Sequence, residues 1–301
     1  YCWTSYGVKY VEVVVASGKG GTGKTFVASN LLYYLSKIRS RECVGVDADV
    51  EAPDLALALG GYTKIDYEVK SHAARRPVIN TSKCIHCGLC AKVCRSAAIS
   101  LADNVPRVNI EECEGCGVCA AACPVGAIDM VSYSVGKIVA GNVKYGIKVI
   151  SGELEVGMSN SGRLVYELKL IAKKLYSDSE LFIVDAAAGI GCPVISSITG
   201  ADLLIIVIEP TPQSIQGALR LRHVAETLHV NYATLVNKYD LNPNIPNSLR
   251  RDLNIIGEIP FDNTVFESYA NMAPILQYRP NSDASKKLMS IFNVLYEEFM
   301  S

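Results

Sequence analysis

The chain has 301 residues, half of them hydrophobic and a fifth charged, with a formal net charge of −1. That balance describes a globular protein with a substantial core, of one large domain or two, and it argues against nucleic acid or an anionic membrane surface as the main partner. No apolar run approaches the roughly 18 residues of a membrane span and the first ten residues lack a signal-peptide pattern, so a cytoplasmic location with no membrane partner is expected.

An apolar run at 11–16 reads as a strand and is followed by Gly18-Lys19-Gly20-Gly21-Thr22-Gly23-Lys24-Thr25 and a helical pattern from Phe26. Strand, glycine loop and helix make a phosphate-binding loop: the glycines let backbone N–H groups wrap a polyphosphate, and the helix adds the positive end of its dipole. Lys24 would reach the β and γ phosphates, and Thr25 would hold Mg2+ through its hydroxyl. Lys19, a second lysine inside the loop, resembles the signature lysine of the deviant Walker A class, the family of MinD, ParA and the nitrogenase iron protein. The resemblance implies a nucleotide-dependent homodimer in which each Lys19 reaches the phosphates bound by the other protomer.

Leu31, Leu32 and Leu35 carry the helix to about residue 37, and 43–46 reads as a short buried strand ending at Asp47. The group Asp47-Ala48-Asp49 lies where open α/β sheets place their ligand chemistry. It resembles the family's switch I segment, which implies that Asp49 orients the attacking water and Asp47 lies near the metal. Pro53 and Asp54 start a short helix through Leu59, closed by Gly60 and Gly61.

Eleven cysteines in an intracellular nucleotide-binding chain point to metal rather than disulfides, and eight of them fall in one segment. The run Cys84, Cys87, Cys90, Cys94 recurs as Cys113, Cys116, Cys119, Cys123, each cysteine after 29 residues, as do Gly88 with Gly117 and Ile99 with Ile128. This internal duplication has the spacing of bacterial two-cluster ferredoxins. By that resemblance Cys84, Cys87, Cys90 and Cys123 would hold one [4Fe-4S] cluster, and Cys113, Cys116, Cys119 and Cys94 the other. Zinc would prefer isolated cysteine pairs at wider separation. His86 reads as an exposed or supporting side chain, since four cysteines already complete the set. Arg95 stands where the second run has Pro124, which adds a positive charge without removing a ligand.

The sheet pattern resumes at 138–143 and 147–154, a hairpin and a strand, so the insert is an excursion whose two ends lie close together. Gly157-Met158-Ser159-Asn160-Ser161-Gly162 leads into an amphipathic helix at 163–176, and a strand at 181–184 ends in Asp185, placed as a Walker B carboxylate for Mg2+. Gly189 would approach the γ-phosphate, while Ala187 and Ala188 replace the prolines usual in the family's switch II. Cys192 and Cys43 read as free thiols, and Cys2 stays unassigned. Residues 203–208 form a fully apolar strand, a helix covers 215–229, and a strand at 232–236 leads into Asn237-Lys238-Tyr239-Asp240. That tetrapeptide matches the guanine-reading pattern of GTPases, but related ATPases keep the Asn for the adenine edge, and ATP is the expected nucleotide. A last strand at 255–259 precedes a loop at Pro260 and Phe261 that could cover the base. The segment 284–299 places Leu288, Ile291, Phe292, Leu295 and Phe299 on one face, a helix packed on the sheet rather than a membrane anchor.

Strands alternating with helices give an α/β fold, a doubly wound and mostly parallel sheet of the P-loop NTPase kind, with a small ferredoxin-like α+β insert. The expected division is 9–75 and 133–301 for the ATPase domain and 76–132 for the insert, which is expected to leave the chain just after switch I. The whole resembles MinD-superfamily ATPases with an inserted ferredoxin domain. The implied function is an ATPase whose dimerisation gates electron transfer through two [4Fe-4S] clusters to a redox partner. The alternative is an ATP-dependent carrier that delivers iron–sulfur clusters to acceptor proteins. A third reading, positional partitioning on nucleoid or membrane, would need a basic surface that the charge balance does not suggest.

Overall fold

The computed structural model describes residues 10–72, 74–158, 160–242 and 247–300. Cys2, Lys9 and Ser159 lie outside them. The strands are β1 (Val11–Ser17), β2 (Cys43–Ala48), β3 (Tyr62–Ser71), β4 (Ala74–Ile79), β5 (Ile99–Ala102), β6 (Val105–Val108), β7 (Ile128–Tyr133), β8 (Gly136–Val143), β9 (Lys148–Leu154), β10 (Leu181–Ala188), β11 (Leu203–Ile208), β12 (Asn231–Asn237) and β13 (Ile255–Ile259). Nine of them form one sheet in the order β13-β12-β11-β1-β10-β2-β9-β8-β3. It is parallel from β13 to β9, and β8 runs antiparallel to both β9 and β3.

The central strands are apolar because both faces of the sheet are covered. In β1, Val13 and Val15 pack with Leu31 of the helix Lys24–Tyr33 and Phe292 of the helix Asp283–Leu295. Val14 and Ala16, pointing to the opposite face, pack with Leu168 of the helix Ser161–Leu175 and Leu221 of the helix Pro212–Thr227. The C-terminal segment therefore lies on the sheet, with Leu288, Ile291, Phe292 and Leu295 buried. No helix among the described residues is long and apolar enough to cross a membrane.

The edge strand β3 has no counterpart in the apolar pattern of the sequence. Most of its residues are exposed or half-buried, so the alternation that marks a strand is missing. Its position matters for the insert. Because β3 is parallel to β9 and β2, its end at Ser71 lies on the same edge of the sheet as the ends of β1, β2 and β10. The chain leaves the sheet there, returns at Gly136, and the two roots are joined by a hydrogen bond from Val135 N to Ser71 O of 3.0 Å. The excursion thus begins after β3, not directly after Asp47-Ala48-Asp49. Between its roots β4 pairs with β7 and β5 with β6, and Ile99, Cys119 and Ile128 form a small core of their own.

Candidate functional site

Parallel strands bring the candidate residues to one edge. The loop after β1 carries Gly18 to Thr25, with Gly21 and Gly23 at φ of 79° and 98°. Side chains there would be strained, and at Gly23 a Cβ would also meet Asn237 Nδ2 at 2.5 Å. Around Gly20 and Gly21 there is open space, a cradle that suits an anion held by backbone N–H groups. The base of the loop has no such room. Gly18 lies against Gly217 of the helix Pro212–Thr227, where a Cβ would come within 2.2 Å of backbone.

Lys24 and Thr25 begin the helix Lys24–Tyr33 and are both buried. Thr25 Oγ1 donates to Asp185 Oδ2 at 2.5 Å and lies 3.2 Å from Asp54 Oδ1. Lys24 Nζ is 3.4 Å from Asp49 Oδ2. Asp185 and Asp47 are register partners on β10 and β2, so adjacent strands hold two fully buried carboxylates side by side. Burial, with the repulsion of Asp185 added to it, raises Asp47 well above the ordinary carboxylate range. Burial likewise pushes Asp185 up to about 7, against the pull of Lys24 and the Thr25 hydroxyl. Asp49 is raised by burial despite Lys24 beside it.

Asp47 Oδ1 and Asp185 Oδ1 are buried without a hydrogen-bond partner, although Asp47 Oδ2 accepts from Leu55 N at 2.9 Å. Two carboxylates with spare oxygens beside a threonine hydroxyl form a hard oxygen donor set, and these residues fit Mg2+. Among the described residues no three His, Cys, Asp or Glu side chains converge on one ion. A Mg2+ site takes one or two protein oxygens and completes itself with substrate phosphates and water.

Beside the loop opens a cleft of about 290 Å³, lined by Gly21, Gly23, Lys24, Thr25, Asp54, Asn237, Lys238, Pro260, Phe261, Phe266 and Tyr269. Phosphate-binding groups and aromatic side chains line the same cleft, the two kinds of surface a nucleotide requires. Asn237 Nδ2 donates to Thr22 O at 2.9 Å and so braces the loop. Asp240 does not line the cleft; its Oδ1 accepts from Phe261 N at 2.8 Å and fixes the covering loop. Gly189, at φ 98°, donates its N–H to Ser17 O at 2.8 Å, which ties the segment after Asp185 to the phosphate loop.

Lys19 does not point freely into solvent. Its Nζ is 2.7 Å from Glu209 Oε2, and Lys238 Nζ is 2.7 Å from Glu209 Oε1. Burial alone would raise the Glu209 carboxyl, but hydrogen bonds from the two lysines outweigh it and hold it below its ordinary value. Sequence reasoning did not find Glu209, Asp54, Phe266 or Tyr269 as site residues. Glu209 reads as the end of a strand and Asp54 as the start of a helix, and Phe266 and Tyr269 belong to no motif in the sequence.

The eight clustered cysteines surround two separate cavities. Cys84, Cys87 and Cys90 line one together with Cys123, and Cys113, Cys116 and Cys119 line the other together with Cys94. The last cysteine of each run crosses to the cavity of the other. Gly88 and Gly117, at φ of 70° and 78°, make the turns into the short helices Leu89–Lys92 and Val118–Ala122. Ala127 N donates to Cys123 Sγ at 3.3 Å, and this bond and one from Val125 lower the thiol's pKa. Each cavity is ringed by four cysteines, the ligand composition that a [4Fe-4S] cluster takes. Cys192 is exposed and Cys43 buried, and burial pushes the Cys43 thiol up to about 12, as expected of an inert core residue.

A doubly wound sheet with a phosphate loop, paired acidic strand ends and a base cleft defines a P-loop nucleotide-binding protein. Residues 13–275 match the CobQ/CobB/MinD/ParA nucleotide binding domain, and the chain belongs to this family. An uncharacterized protein of Methanocaldococcus jannaschii is 35% identical over 287 residues, covering 95% of this chain and 97% of its own length. Among solved structures, the cell division ATPase MinD of Pyrococcus furiosus superposes with a TM-score of 0.61 at 18% identity, covering 95% of this chain and 98% of that one. The septum site-determining protein MinD of Pyrococcus horikoshii, complexed with Mg-ADP, gives 0.60 at 17% identity, covering 96% of each chain. At these identities the likeness to MinD is one of fold.

Proposed function

We propose that this protein binds and hydrolyses ATP as a nucleotide-dependent homodimer, and that its nucleotide state gates electron transfer through two [4Fe-4S] clusters to a partner protein. The observation that carries the reading is the crossing of Cys94 and Cys123, which completes a four-cysteine set around each cavity. The 76–132 segment is then a ferredoxin-like domain, and the duplicated cysteine runs are its ligands. When bound, the clusters supply one-electron storage.

In the nucleotide site the backbone of residues 18–25 holds the phosphates, and Lys24 neutralises their charge. Thr25 and Asp185 hold Mg2+, which adds charge neutralisation at the phosphates, with Asp47 behind them. Asp49, close to Lys24, orients the water that attacks the γ-phosphorus, and ADP leaves. Phe261, Phe266 and Tyr269 close over the base, with Asn237 beneath it. Lys19 exchanges Glu209 for the phosphates of the other protomer when two chains meet. ATP is supported by two structural neighbours, one a cell division ATPase and the other a MinD complexed with Mg-ADP. It is also supported by Asp240, which stands outside the lining of the cleft and accepts from Phe261 N through Oδ1.

Coupling has a covalent and hydrogen-bonded route. Val50, next to Asp49, accepts from Leu154 N at 2.8 Å; Glu155 N donates to Val135 O at 2.9 Å; and Val135 N donates to Ser71 O at 3.0 Å. A shift of Asp49 on nucleotide exchange is thereby passed to both roots of the insert. The test is anaerobic purification followed by spectroscopic titration of both clusters with ATP, with ADP and without nucleotide. A nucleotide-dependent potential supports gating. Unchanged potentials, with cluster loss to an apo-ferredoxin, would favour the carrier reading instead.

A further inference from the structure

We propose that Asp54 is a ligand of the Mg2+ that accompanies the nucleotide, adjacent to Thr25 in the cation's shell. This rests on the nucleotide-site reading above and gives a role to a side chain that the sequence marks only as the start of a helix. Three observations carry it.

The first is that the fold does not use this carboxylate. Asp54 holds the N-cap position of the short helix Leu55–Ala58, where an aspartate ordinarily accepts from a backbone N–H of the first turn. Its side chain makes no such bond. The helix is served by Asp47 instead, whose Oδ2 accepts from Leu55 N at 2.9 Å, while Asp54 contributes only its backbone carbonyl, to Ala58 N at 2.9 Å. Among the described residues the Asp54 carboxylate has one hydrogen-bond contact, with Thr25 Oγ1. It is exposed and lines the nucleotide cleft beside Lys24 and Thr25, so it is open to a cation arriving with the phosphates.

The second is the geometry at Thr25. A hydroxyl has one proton to give. Thr25 Oγ1 lies 2.5 Å from Asp185 Oδ2 and 3.2 Å from Asp54 Oδ1, so the proton goes to Asp185, the nearer carboxylate. Oγ1 and Asp54 Oδ1 are then two acceptors in contact with no hydrogen between them, an arrangement that is repulsive until a cation bridges it. Adjacent oxygens of an octahedral Mg2+ shell stand about 2.9 Å apart, close to the 3.2 Å separating these two. The other oxygen of Asp185, fully buried, also has no hydrogen-bond partner, a further acceptor beside Thr25 that a cation or its water would satisfy.

The third is charge. Asp47, Asp49, Asp54 and Asp185 gather around Lys24 and Thr25. The Asp54 carboxylate repels each of the other three and adds to the rise that burial imposes on them. In the empty site it is therefore unfavourable, and a divalent cation reverses the sign of its contribution. An acid that neither caps its helix nor pairs with a base, and that repels its neighbours, is accounted for by a cation. The hard oxygen donors around it suit Mg2+.

The test is anaerobic titration of the full protein with ADP carrying a fluorescent methylanthraniloyl group, in Mg2+ and in EDTA, for wild type, Asp54→Asn and Asp54→Ser. Asn and Ser cap helices as well as Asp does, so a purely structural role would survive both changes. In wild type Mg2+ should tighten ADP binding. Both variants are expected to lose roughly ten-fold or more of that tightening, and to bind ADP in EDTA as well as wild type or better, because a charge that repels the phosphates is gone. Thermal unfolding gives a second readout: in EDTA both variants should melt no lower than wild type, and Mg2+ with ADP should stabilise them less. Undiminished Mg2+-dependent tightening in the variants, an equal loss of ADP affinity with and without Mg2+, or a lower melting temperature in EDTA would overturn the proposal. A wild type that binds no ADP removes the nucleotide-site reading and this one with it, whereas variants that match a Mg2+-responsive wild type remove only the role of Asp54.

Discussion

Replacing Glu209 by Gln removes the carboxylate that holds Lys19 while keeping its size. Each of the two lysines on it is bound at 2.7 Å, with side-chain exposures of 35% for Lys19, 27% for Lys238 and 13% for Glu209 itself. A partly exposed pair of this kind contributes about 1 kcal/mol. In the proposed dimer each protomer gives up one such bond, so its removal from the free protomer favours association by about 2 kcal/mol, roughly thirty-fold in the dimer dissociation constant. Sedimentation velocity with ATP, in an Asp49→Asn background that stops turnover, measures that constant. The carboxyl also predicts a pH dependence. Its folded value is lowered, so the tether is fully formed above the ordinary carboxylate pKa and is lost as pH falls through the lowered one. The ratio of the wild-type dissociation constant to that of Glu209→Gln should therefore shrink toward one as pH falls, whatever acid does to the nucleotide site that the two proteins share. A dissociation constant unchanged or raised by Glu209→Gln would show that Glu209 does not compete for Lys19, and Lys19→Ala should abolish the ATP-dependent dimer in either background.

Cys123→Ser, which removes a ligand from the cavity of Cys84, Cys87 and Cys90, should reduce iron from about eight to about four per chain and leave one cluster's spectrum; loss of both or of neither would contradict the crossed assignment. Gly217→Ala places a methyl group 2.6 Å from Gly18 Cα, an overpacking expected to cost about 1–3 kcal/mol and to weaken ATP binding through the loop, read by thermal unfolding and nucleotide titration. Glu12→Ala leaves Lys169 and Lys173 without the buried carboxylate that each approaches at 2.6 and 2.7 Å, and should lower stability by about 3–5 kcal/mol in urea.

What the sequence determined by itself is local. The phosphate loop is legible because residues 18–25 must wrap one anion, and the cysteine runs because three ligands of one cluster must come from a single tight turn. The central strands are legible because a sheet covered on both faces must be apolar at every position, as in β11, where all six residues are buried. The tertiary structure decided what depends on neighbours far apart in the chain. The pairing of Asp47 with Asp185 needs β2 beside β10, and the clasp of Lys19 by Glu209 brings together residues from the ends of β1 and β11. The strand β3 was hidden because an exposed edge carries no apolar period, yet it sets where the insert leaves the sheet. The crossing of Cys94 and Cys123 between the two cavities likewise forms only once the two repeats are folded against each other. Short-range chemistry can be read from spacing, whereas which charges meet depends on strand order, which spacing does not encode.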